Sequence, residues 1–308
     1  MEESKSVMFP KSLHEAWKLY HDGKESSCYI SGGTWLRTQW EANPEGTAKQ
    51  LICVDCLPGL QTISTSSDDG ETMVTIGAAA TLSQCLESPV IGESFSGFIT
   101  ACRNIAAPAI RNQATVGGNI LTAAGDTIPS LLVIDAQLHW FNGTDIESQP
   151  LSDWLREREN DGANEEERIL VSVTIPVKKQ EKKGTAFSFY TKVGRREAFI
   201  PSVVTVAGTG MLTIEGTLAD VALAAGGGTT VPGRLPDVEA LLHRARFSPE
   251  LLKKVHEKIM TDYSPPPDPF AGVYYKKTVA ANVIIGELYR LQEQQSDDKG
   301  GVGYAVRS

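Results

Sequence analysis

Nothing in this chain is long, apolar and uninterrupted. The longest apolar stretches, such as residues 131–134 and 203–207, are far too short to span a bilayer. Membrane insertion is therefore not expected. Positive charge is also scarce: 29 Lys and Arg against 38 Asp and Glu leave a net charge of −9. Neutralising phosphates requires clustered Lys and Arg, so no nucleic-acid partner is expected. The opening Met1-Glu2-Glu3-Ser4-Lys5 has two acids and no apolar core, unlike a signal peptide.

Cysteine and histidine are sparse as well. The five cysteines are Cys28, Cys53, Cys56, Cys85 and Cys102. An odd number without a secretory leader suits free thiols in a reducing, cytoplasmic setting. Cys53 and Cys56 have CxxC spacing, but one such pair cannot close a four-ligand metal site. They sit in Leu51-Ile-Cys-Val-Asp-Cys-Leu-Pro58, which reads as a buried strand entering a turn. The expectation is packing cysteines, against a redox or metal role. The histidines (His14, His21, His139, His243, His256) never pair at helical spacing, so surface or core roles and no metal site are expected. There is no GxGxxG fingerprint, no GxxxxGK[ST] loop and no GxSxG elbow. A standard nicotinamide domain, an NTPase and a serine hydrolase are not indicated, and no catalytic side chain is assigned.

What is present is an ordinary globular composition, 41 % hydrophobic and 22 % charged, over 308 residues. That length suggests about two domains. Ser12 and Glu15 have capping-box spacing ahead of an apolar face of Leu13, Ala16, Trp17 and Tyr20. Strands are expected at 27–31 and 51–55, and a hairpin over 62–76 with its turn at 66–70. A second capping box, Thr81 with Gln84, opens a helix over 82–87. An amphipathic helix over 94–107 should end at Pro108, and another should run from 126 to 135. Strands at 136–142 and 169–175 follow, then a charged linker at 178–183. Beyond it, strands at 185–192, 203–214 and 217–225 precede helices at 236–244, 249–263 and 274–294. Residues 295–308 read as a mobile tail.

Two places suggest chemistry. Tyr29-Ile-Ser-Gly32-Gly33-Thr34 leads from a strand through paired glycines into a helix. Glycines let backbone N–H groups approach an anion, and a helix N-terminus adds a favourable dipole. Thr115-Val-Gly117-Gly118-Asn119 is a second glycine pair with hydroxyl and amide neighbours. Each alone is usually only a turn. Together, about eighty residues apart, they suggest two loops clasping one pyrophosphate, with the chemistry belonging to a bound cofactor.

The order Ser31-Gly-Gly-Thr34, Arg103-Asn-Ile-Ala-Ala-Pro-Ala-Ile-Arg-Asn112 and Ala114-Thr-Val-Gly-Gly-Asn119 resembles the FAD-binding (medium) subunit of the molybdenum hydroxylases. That family includes the flavin subunits of xanthine dehydrogenase and aerobic carbon monoxide dehydrogenase. Ala124-Gly-Asp126 through Asp135, Ile169-Leu-Val-Ser172, Phe189-Tyr-Thr-Lys192 and Leu223-Ala-Ala-Gly-Gly-Gly228 extend the match over nearly the whole chain. The resemblance implies an α+β fold: a two-lobed FAD-binding domain of the vanillyl-alcohol-oxidase (PCMH) type, then a C-terminal domain of antiparallel sheet plus helices. The lobes would be residues 1–57 and 58–178, and the C-terminal domain 185–294.

The resemblance also implies roles. Tyr29, Ile30, Ser31, Gly32, Gly33, Thr34, Trp35 and Leu36 would line the pyrophosphate and adenine side. Thr115, Gly117, Gly118 and Asn119 would hold the other side of the pyrophosphate. Ile105, Leu121, Ile169 and Leu170 would pack apolar parts of the cofactor. Asp126 would accept from a ribose hydroxyl, against a rival role as N-cap of the following helix. Lys192 would approach the flavin, against a solvated strand end. Arg111, Arg195 and Arg196 would brace loops or meet partner subunits. Trp35 departs from the small or acidic polar residue usual there, and the 119–126 segment is shorter than usual.

On this reading the protein is an oxidoreductase subunit. Electrons would come from two [2Fe–2S] clusters on a small subunit, fed by a molybdopterin large subunit, and would leave to NAD or another acceptor. A stand-alone flavin oxidoreductase of the same fold and a flavin-free assembly subunit are the alternatives.

Overall fold

A computed structural model of the chain describes residues 5–23, 26–46, 48–68, 70–161, 167–178, 184–195 and 201–299. Its backbone forms three sheets, each with its own hydrophobic core.

The first sheet is parallel, in the order β1-β3-β2, from β1 (Ser6–Met8), β2 (Ser27–Ile30) and β3 (Gln50–Cys53). Parallel strands need crossovers, and these are α1 (Leu13–Asp22) and α2 (Thr34–Ala42). Ser12 caps α1 by accepting the Glu15 N–H at 3.1 Å. The reciprocal half of the expected box shifts one residue earlier, because the Glu15 carboxylate accepts the Lys11 N–H at 2.7 Å. Ala16, Tyr20, Ile52, Leu57 and Leu60 form the core beneath, joined by Phe141 and Ile169 from the next sheet.

The second sheet is antiparallel throughout, in the order β4-β5-β8-β6-β7. Its strands are β4 (Ile63–Asp68), β5 (Glu71–Gly77), β6 (Gln137–Phe141), β7 (Ile146–Pro150) and β8 (Ile169–Val177). Between β5 and β6 come α3 (Leu82–Glu87), α4 (Pro89–Ser94), α5 (Ser96–Arg103), α6 (Pro108–Arg111), α7 (Val116–Leu121) and α8 (Ile128–Leu132). After β7 comes α9 (Leu151–Asp161). The Thr81–Gln84 capping box forms in full. Phe98, Ile120, Ile128, Leu131, Trp140 and Trp154 are fully buried here. Each such aliphatic or phenyl side chain contributes roughly 1.5–3 kcal/mol of transfer free energy.

Several expectations are corrected. The helix over 94–107 shortens to α5, which ends at Arg103, and a separate helix, α4, precedes it, parted from it at Phe95 (φ −134°, ψ 59°). The helix over 126–135 shrinks to α8. The hairpin strands run on to a paired Asp68 and Glu71, so the turn is tighter than 66–70, and residue 69 lies outside the described residues. Strands β1, β7 and β12 and helices α4, α6, α7 and α9 were not foreseen.

The third sheet is antiparallel, in the order β12-β11-β10-β9, from β9 (Gly184–Gly194), β10 (Ser202–Thr213), β11 (Leu218–Gly227) and β12 (Thr230–Arg234). Its two faces differ by the period-2 alternation of a strand. Ala207, Ala222 and Ala224 face the core of the second sheet. Val204, Val206 and Leu223 face α10 (Pro236–Leu242), α11 (Pro249–Asp262) and α12 (Val273–Lys299). Small alanines on one face let the sheet lie close against α8. The sheet is thus both the floor of its own domain and a wall of the preceding one. Helix α12 continues to Lys299, past the expected start of the tail at 295, and 300–308 lie outside the described residues. The expected linker lies outside them too, apart from Lys178, whose ammonium pairs with Asp135 at 3.1 Å.

Candidate functional site

The first glycine loop leaves the parallel sheet at Ile30. Gly33 takes the left-handed conformation (φ 65°) and stands as N-cap of α2 without a side chain to offer, so no side chain caps the helix. The N–H groups of a first helical turn lack intrahelical partners, and here they open beside the loop. Ser31 donates its hydroxyl to the Asp55 carboxylate in the turn after β3. Gly32 is required by proximity: a Cβ there would sit 1.7 Å from the carbonyl oxygen of Gln113. That contact brings the 31–34 loop against the segment leading into α7.

The second glycine pair is the opening of a helix rather than a loop. Thr115 is buried and caps α7 by accepting the Gly118 N–H at 3.1 Å. Val116 and Gly117 donate their N–H groups to the carbonyls of Ala80 and Ala78 at 2.9 and 2.8 Å. A Cβ on Gly117 would lie 2.7 Å from the Ala78 carbonyl. The pair therefore docks α7 on the exit of β5, and the backbone N–H groups of 116–118 already have acceptors.

Asn119 has an internal task as well. Its Oδ1 accepts from the Thr127 N–H at 3.1 Å and the Thr127 hydroxyl at 2.6 Å. The short 119–126 segment thereby closes on itself, with Ala123 at φ 54° and Gly125 packed on the Asn119 side chain.

Asp126 does not cap α8; Thr127 stands there, with no side-chain cap bond. Its carboxylate faces the third sheet instead. Lys192 Nζ lies 2.8 Å from Asp126 Oδ2, and the Ser202 hydroxyl donates to Oδ1 at 2.5 Å. Lys192 also donates to the Asn104 carbonyl at 3.1 Å, and the Tyr190 hydroxyl donates to the Asp126 carbonyl at 2.9 Å. Burial pushes the Tyr190 phenol well above its ordinary pKa, with the Asp126 charge adding to the effect. Lys192 is thus an ion-paired residue, not a solvated strand end. Sequence reasoning missed Ser202, Tyr190 and Asn104, whose roles depend on register between strands distant in the chain.

The remaining residues divide in two. Trp35 and Leu121 keep exposed apolar faces, 53 % and 43 % accessible, and Leu36 and Ile105 are half-buried. Ile169 and Leu170 are buried in two different cores. Tyr29 stacks on Tyr20 with centroids 4.6 Å apart, and Ile30 packs under Gly33. The Tyr29 hydroxyl is buried without a hydrogen-bond partner among the described residues, and this desolvation raises its pKa strongly. The side chains of Tyr29, Ile169 and Leu170 are thus committed to packing. Arg111 braces a loop: its Nη1 donates to the carbonyls of Arg103, Ile105 and Ala106 at 3.2, 2.9 and 2.7 Å, holding Ala106 at φ 43°. Arg195 lies over the Phe270 ring at 4.5 Å, and Arg196 is outside the described residues. The CxxC expectation is corrected in part, since Cys56 is exposed and Cys53 only half-buried. Among the described residues, no cluster of His, Cys, Asp and Glu is arranged to hold a metal ion. No described helix is long and apolar enough to cross a membrane.

A glycine loop against the segment entering α7, with a carboxylate–ammonium pair at the seam between two domains, describes a scaffold suited to a bound cofactor. The chain belongs to the family of FAD-binding domains of molybdopterin dehydrogenases, whose family model matches residues 3–178. The model of the CO dehydrogenase flavoprotein C-terminal domain matches residues 188–289. The xanthine dehydrogenase FAD-binding subunit of Escherichia coli O157:H7 is 26 % identical over 256 residues, 82 % of this chain and 84 % of that protein. The nicotinate dehydrogenase FAD-subunit of Eubacterium barkeri is 29 % identical over 206 residues, 63 % of this chain and 64 % of that protein. Among solved structures, a chain of the carbon monoxide dehydrogenase of Hydrogenophaga pseudoflava superposes with a TM-score of 0.79 at 20 % identity, covering 92 % of this chain and 95 % of that one. The expected α+β fold, a two-lobed FAD-binding part followed by an antiparallel C-terminal sheet with helices, is the one observed.

The residues present fit FAD. An uncapped helix start beside side-chain-free backbone suits an anion, and the exposed Trp35 and Leu121 faces offer apolar surface. Asp126 and Lys192 supply an acceptor and a donor of opposite charge.

Proposed function

We propose that this chain is the FAD-binding electron-transfer subunit of a molybdenum hydroxylase. The observation that carries the reading is the contact of Gly32 with Gln113, which joins the 31–34 loop to the segment entering α7. FAD, when bound, supplies two-electron and one-electron redox chemistry. Gly32, Gly33 and Thr34, with the first turn of α2, would bind the pyrophosphate, helped by the helix dipole. Thr115, Gly118 and Asn119 would close the other side, Gly118 by the close approach that its missing side chain allows, since its N–H is held by Thr115. Trp35, Leu36, Ile105 and Leu121 would cover apolar rings, while Ile169 and Leu170 support them from beneath. Asp126 would accept from a ribose or ribityl hydroxyl, and Lys192 would present its charge toward the flavin end. No side chain of this chain has to act as acid or base.

In this proposal a small subunit with two [2Fe–2S] clusters delivers the electrons, a molybdopterin large subunit holds the substrate, and NAD or another acceptor receives the electrons. The relatives named above, FAD-binding subunits of xanthine and nicotinate dehydrogenases, support partners of this kind. The proposed lobes are 1–57 and 58–178, with the C-terminal domain at 185–294. All five cysteines are free, which favours a reducing, cytoplasmic location.

The test is the visible spectrum of the purified chain before and after incubation with FAD and desalting. Retained flavin bands, released as FAD by heat, are the expected result. A chain that stays colourless under both conditions, alone and with the partner subunits, overturns the proposal and leaves a flavin-free assembly subunit. Substrate oxidation by the isolated yellow chain would instead indicate a stand-alone oxidoreductase.

A further inference from the structure

We propose that Cys53 and Cys56 form a reversible disulfide, a redox-modification site attached to the Ser31–Thr34 loop. Cys53 is the last residue of β3 and lies in register with Ile30, the last residue before that loop. Val54 donates its N–H to the Ile30 carbonyl at 2.9 Å, and Leu57 donates to the Val54 carbonyl at 3.1 Å, closing a tight turn. The turn folds Cys56 back, so that its Sγ lies 3.6 Å from the Cys53 carbonyl oxygen. The Cys56 sulfur therefore lies against the backbone of Cys53 across a single turn, and the pair has the spacing of a CxxC motif. The other three thiols are elsewhere: Cys28 sits opposite Leu51 in the sheet, and Cys85 and Cys102 are buried in the second core.

The two sulfurs differ in ways that order the chemistry. Cys56 is exposed and meets an external oxidant first. Cys53 is half-buried, and desolvation raises its pKa, with the Asp55 and Cys56 N–H groups working against that rise. With a low-molecular-weight disulfide as oxidant, the Cys56 thiolate attacks one sulfur and expels one small thiolate, giving a mixed disulfide. The Cys53 thiolate then displaces the second small thiolate. Two protein thiols lose two electrons and two protons, and the oxidant is reduced to two small thiols.

The site is wired to the loop through Asp55, which lies between the two cysteines. Asp55 accepts the Ser31 hydroxyl and, through its carbonyl, the Gln61 amide at 2.8 Å. Closing the disulfide draws Cys56 away from the Pro10 carbonyl, now 3.4 Å from its Sγ, and turns Asp55 with it. Binding at the loop and oxidation of the pair should therefore oppose each other, by equal factors in both directions. This coupling rests on the FAD reading; the disulfide itself does not.

The full-length chain is equilibrated with graded mixtures of reduced and oxidised glutathione, with and without saturating FAD. It is then trapped with N-ethylmaleimide and mapped by mass spectrometry that separates Cys53 and Cys56 from Cys85. The expected result is a 53–56 disulfide, reversed by reductant, whose formation constant falls roughly fivefold or more with FAD bound. Cys53→Ser should instead accumulate glutathione on Cys56, and Cys56→Ser should give no disulfide. A persistent glutathione adduct on Cys56 in the unaltered chain, or no modification at all, overturns the site. A disulfide whose formation ignores bound FAD overturns the coupling alone. Failure of FAD to bind overturns the functional reading while leaving the disulfide result standing.

Discussion

Asp126 and Lys192 meet at 2.8 Å across the seam between the second antiparallel sheet and the C-terminal one. They are 66 positions apart (192 − 126), Asp126 in the turn before α8 and Lys192 on β9 of the C-terminal sheet, so the pair exists only when both domains are folded and docked. Ser202 holds the second carboxylate oxygen and also accepts the Gly228 N–H at 3.2 Å. At the far end of α8, Arg234 donates to Asp135 and to the Leu132 carbonyl at 3.1 and 3.2 Å. The C-terminal sheet thus grips both ends of the segment that carries the proposed ribose acceptor. Breaking one end should be felt at the other domain.

Asp126→Asn removes the charge partner of a largely buried ammonium. The expected result is a stability loss of about 2 kcal/mol and weakening of FAD binding by about tenfold. Ser202→Ala should lower FAD affinity less, because Lys192 still holds Oδ2. A double-mutant cycle between Asp126→Asn and Lys192→Met, read by urea unfolding without FAD, should show a coupling above about 1 kcal/mol. Additive effects would mean that the ion pair contributes nothing to docking the domains.

Gly32→Ala tests the contact of the 31–34 loop with the segment entering α7. The new methyl would meet a backbone carbonyl that cannot swing aside, so the two segments must part. Loss of FAD binding and a lowered midpoint of thermal unfolding are expected. Gly118→Ala should weaken FAD binding less, since the one atom near its new methyl is the Thr115 hydroxyl, 2.9 Å away at the end of a side chain. If both variants bind FAD as tightly as the unaltered chain, the proposed pyrophosphate site is misplaced.

These positions also show what a sequence makes legible. Local signals read true: Ser12 and Thr81 cap their helices, and Pro236 and Pro249 stand at the first turns of α10 and α11. The glycine pairs were visible, and Gly32 meets the chain at Gln113, two residues before Thr115. What they do individually was not visible. Gly117 reads as a donor to phosphate, yet its N–H is taken by the Ala78 carbonyl. Asp126 reads as a ligand residue with a helix cap as its rival; the cap position falls to Thr127, and the partners of Asp126, Lys192 and Ser202, arrive from the third sheet. Helix α9 was missed although Leu151, Trp154 and Leu155 have helical spacing and are buried, because its other positions are mostly polar. Strand β12 was missed because Pro232 and Gly233 are poor strand formers, while proline is tolerated on an edge strand.

Trp35 offers a cleaner separation of binding from folding. Its ring is half exposed on the first turn of α2 and belongs to no core cluster. Trp35→Ala should leave the unfolding free energy within about 0.5 kcal/mol of the unaltered chain. It should still weaken FAD binding by roughly five- to tenfold, if the indole covers an aromatic ring of the cofactor. Isothermal titration and urea unfolding on one preparation give both numbers. A stability loss without an affinity loss would make Trp35 a packing residue and remove it from the site.

The C-terminal domain has its own buried ion pair, and it sets an acid limit. Lys276 on α12 is fully buried, and its ammonium lies 2.6 Å from Asp268 and 2.9 Å from the Pro266 carbonyl. Lys276, together with the Phe270 and Ala271 N–H groups, holds the Asp268 carboxyl below its ordinary pKa. A carboxyl depressed in the folded state binds its proton more readily when unfolded, so folding stability rises with pH through this window. The contribution is complete above the unfolded carboxylate range, and it is lost as pH falls toward the depressed folded value. Asp268→Asn leaves Lys276 buried without a counter-charge, at a cost of about 3 kcal/mol near neutral pH. The gap between the variant and the unaltered chain should narrow as pH drops from 6 toward 3. Lys276→Met, which removes the buried charge itself, should cost less than Asp268→Asn at neutral pH. Urea unfolding across that range decides the matter, and a gap that stays constant with pH would show that Asp268 draws no stability from its pairing with Lys276.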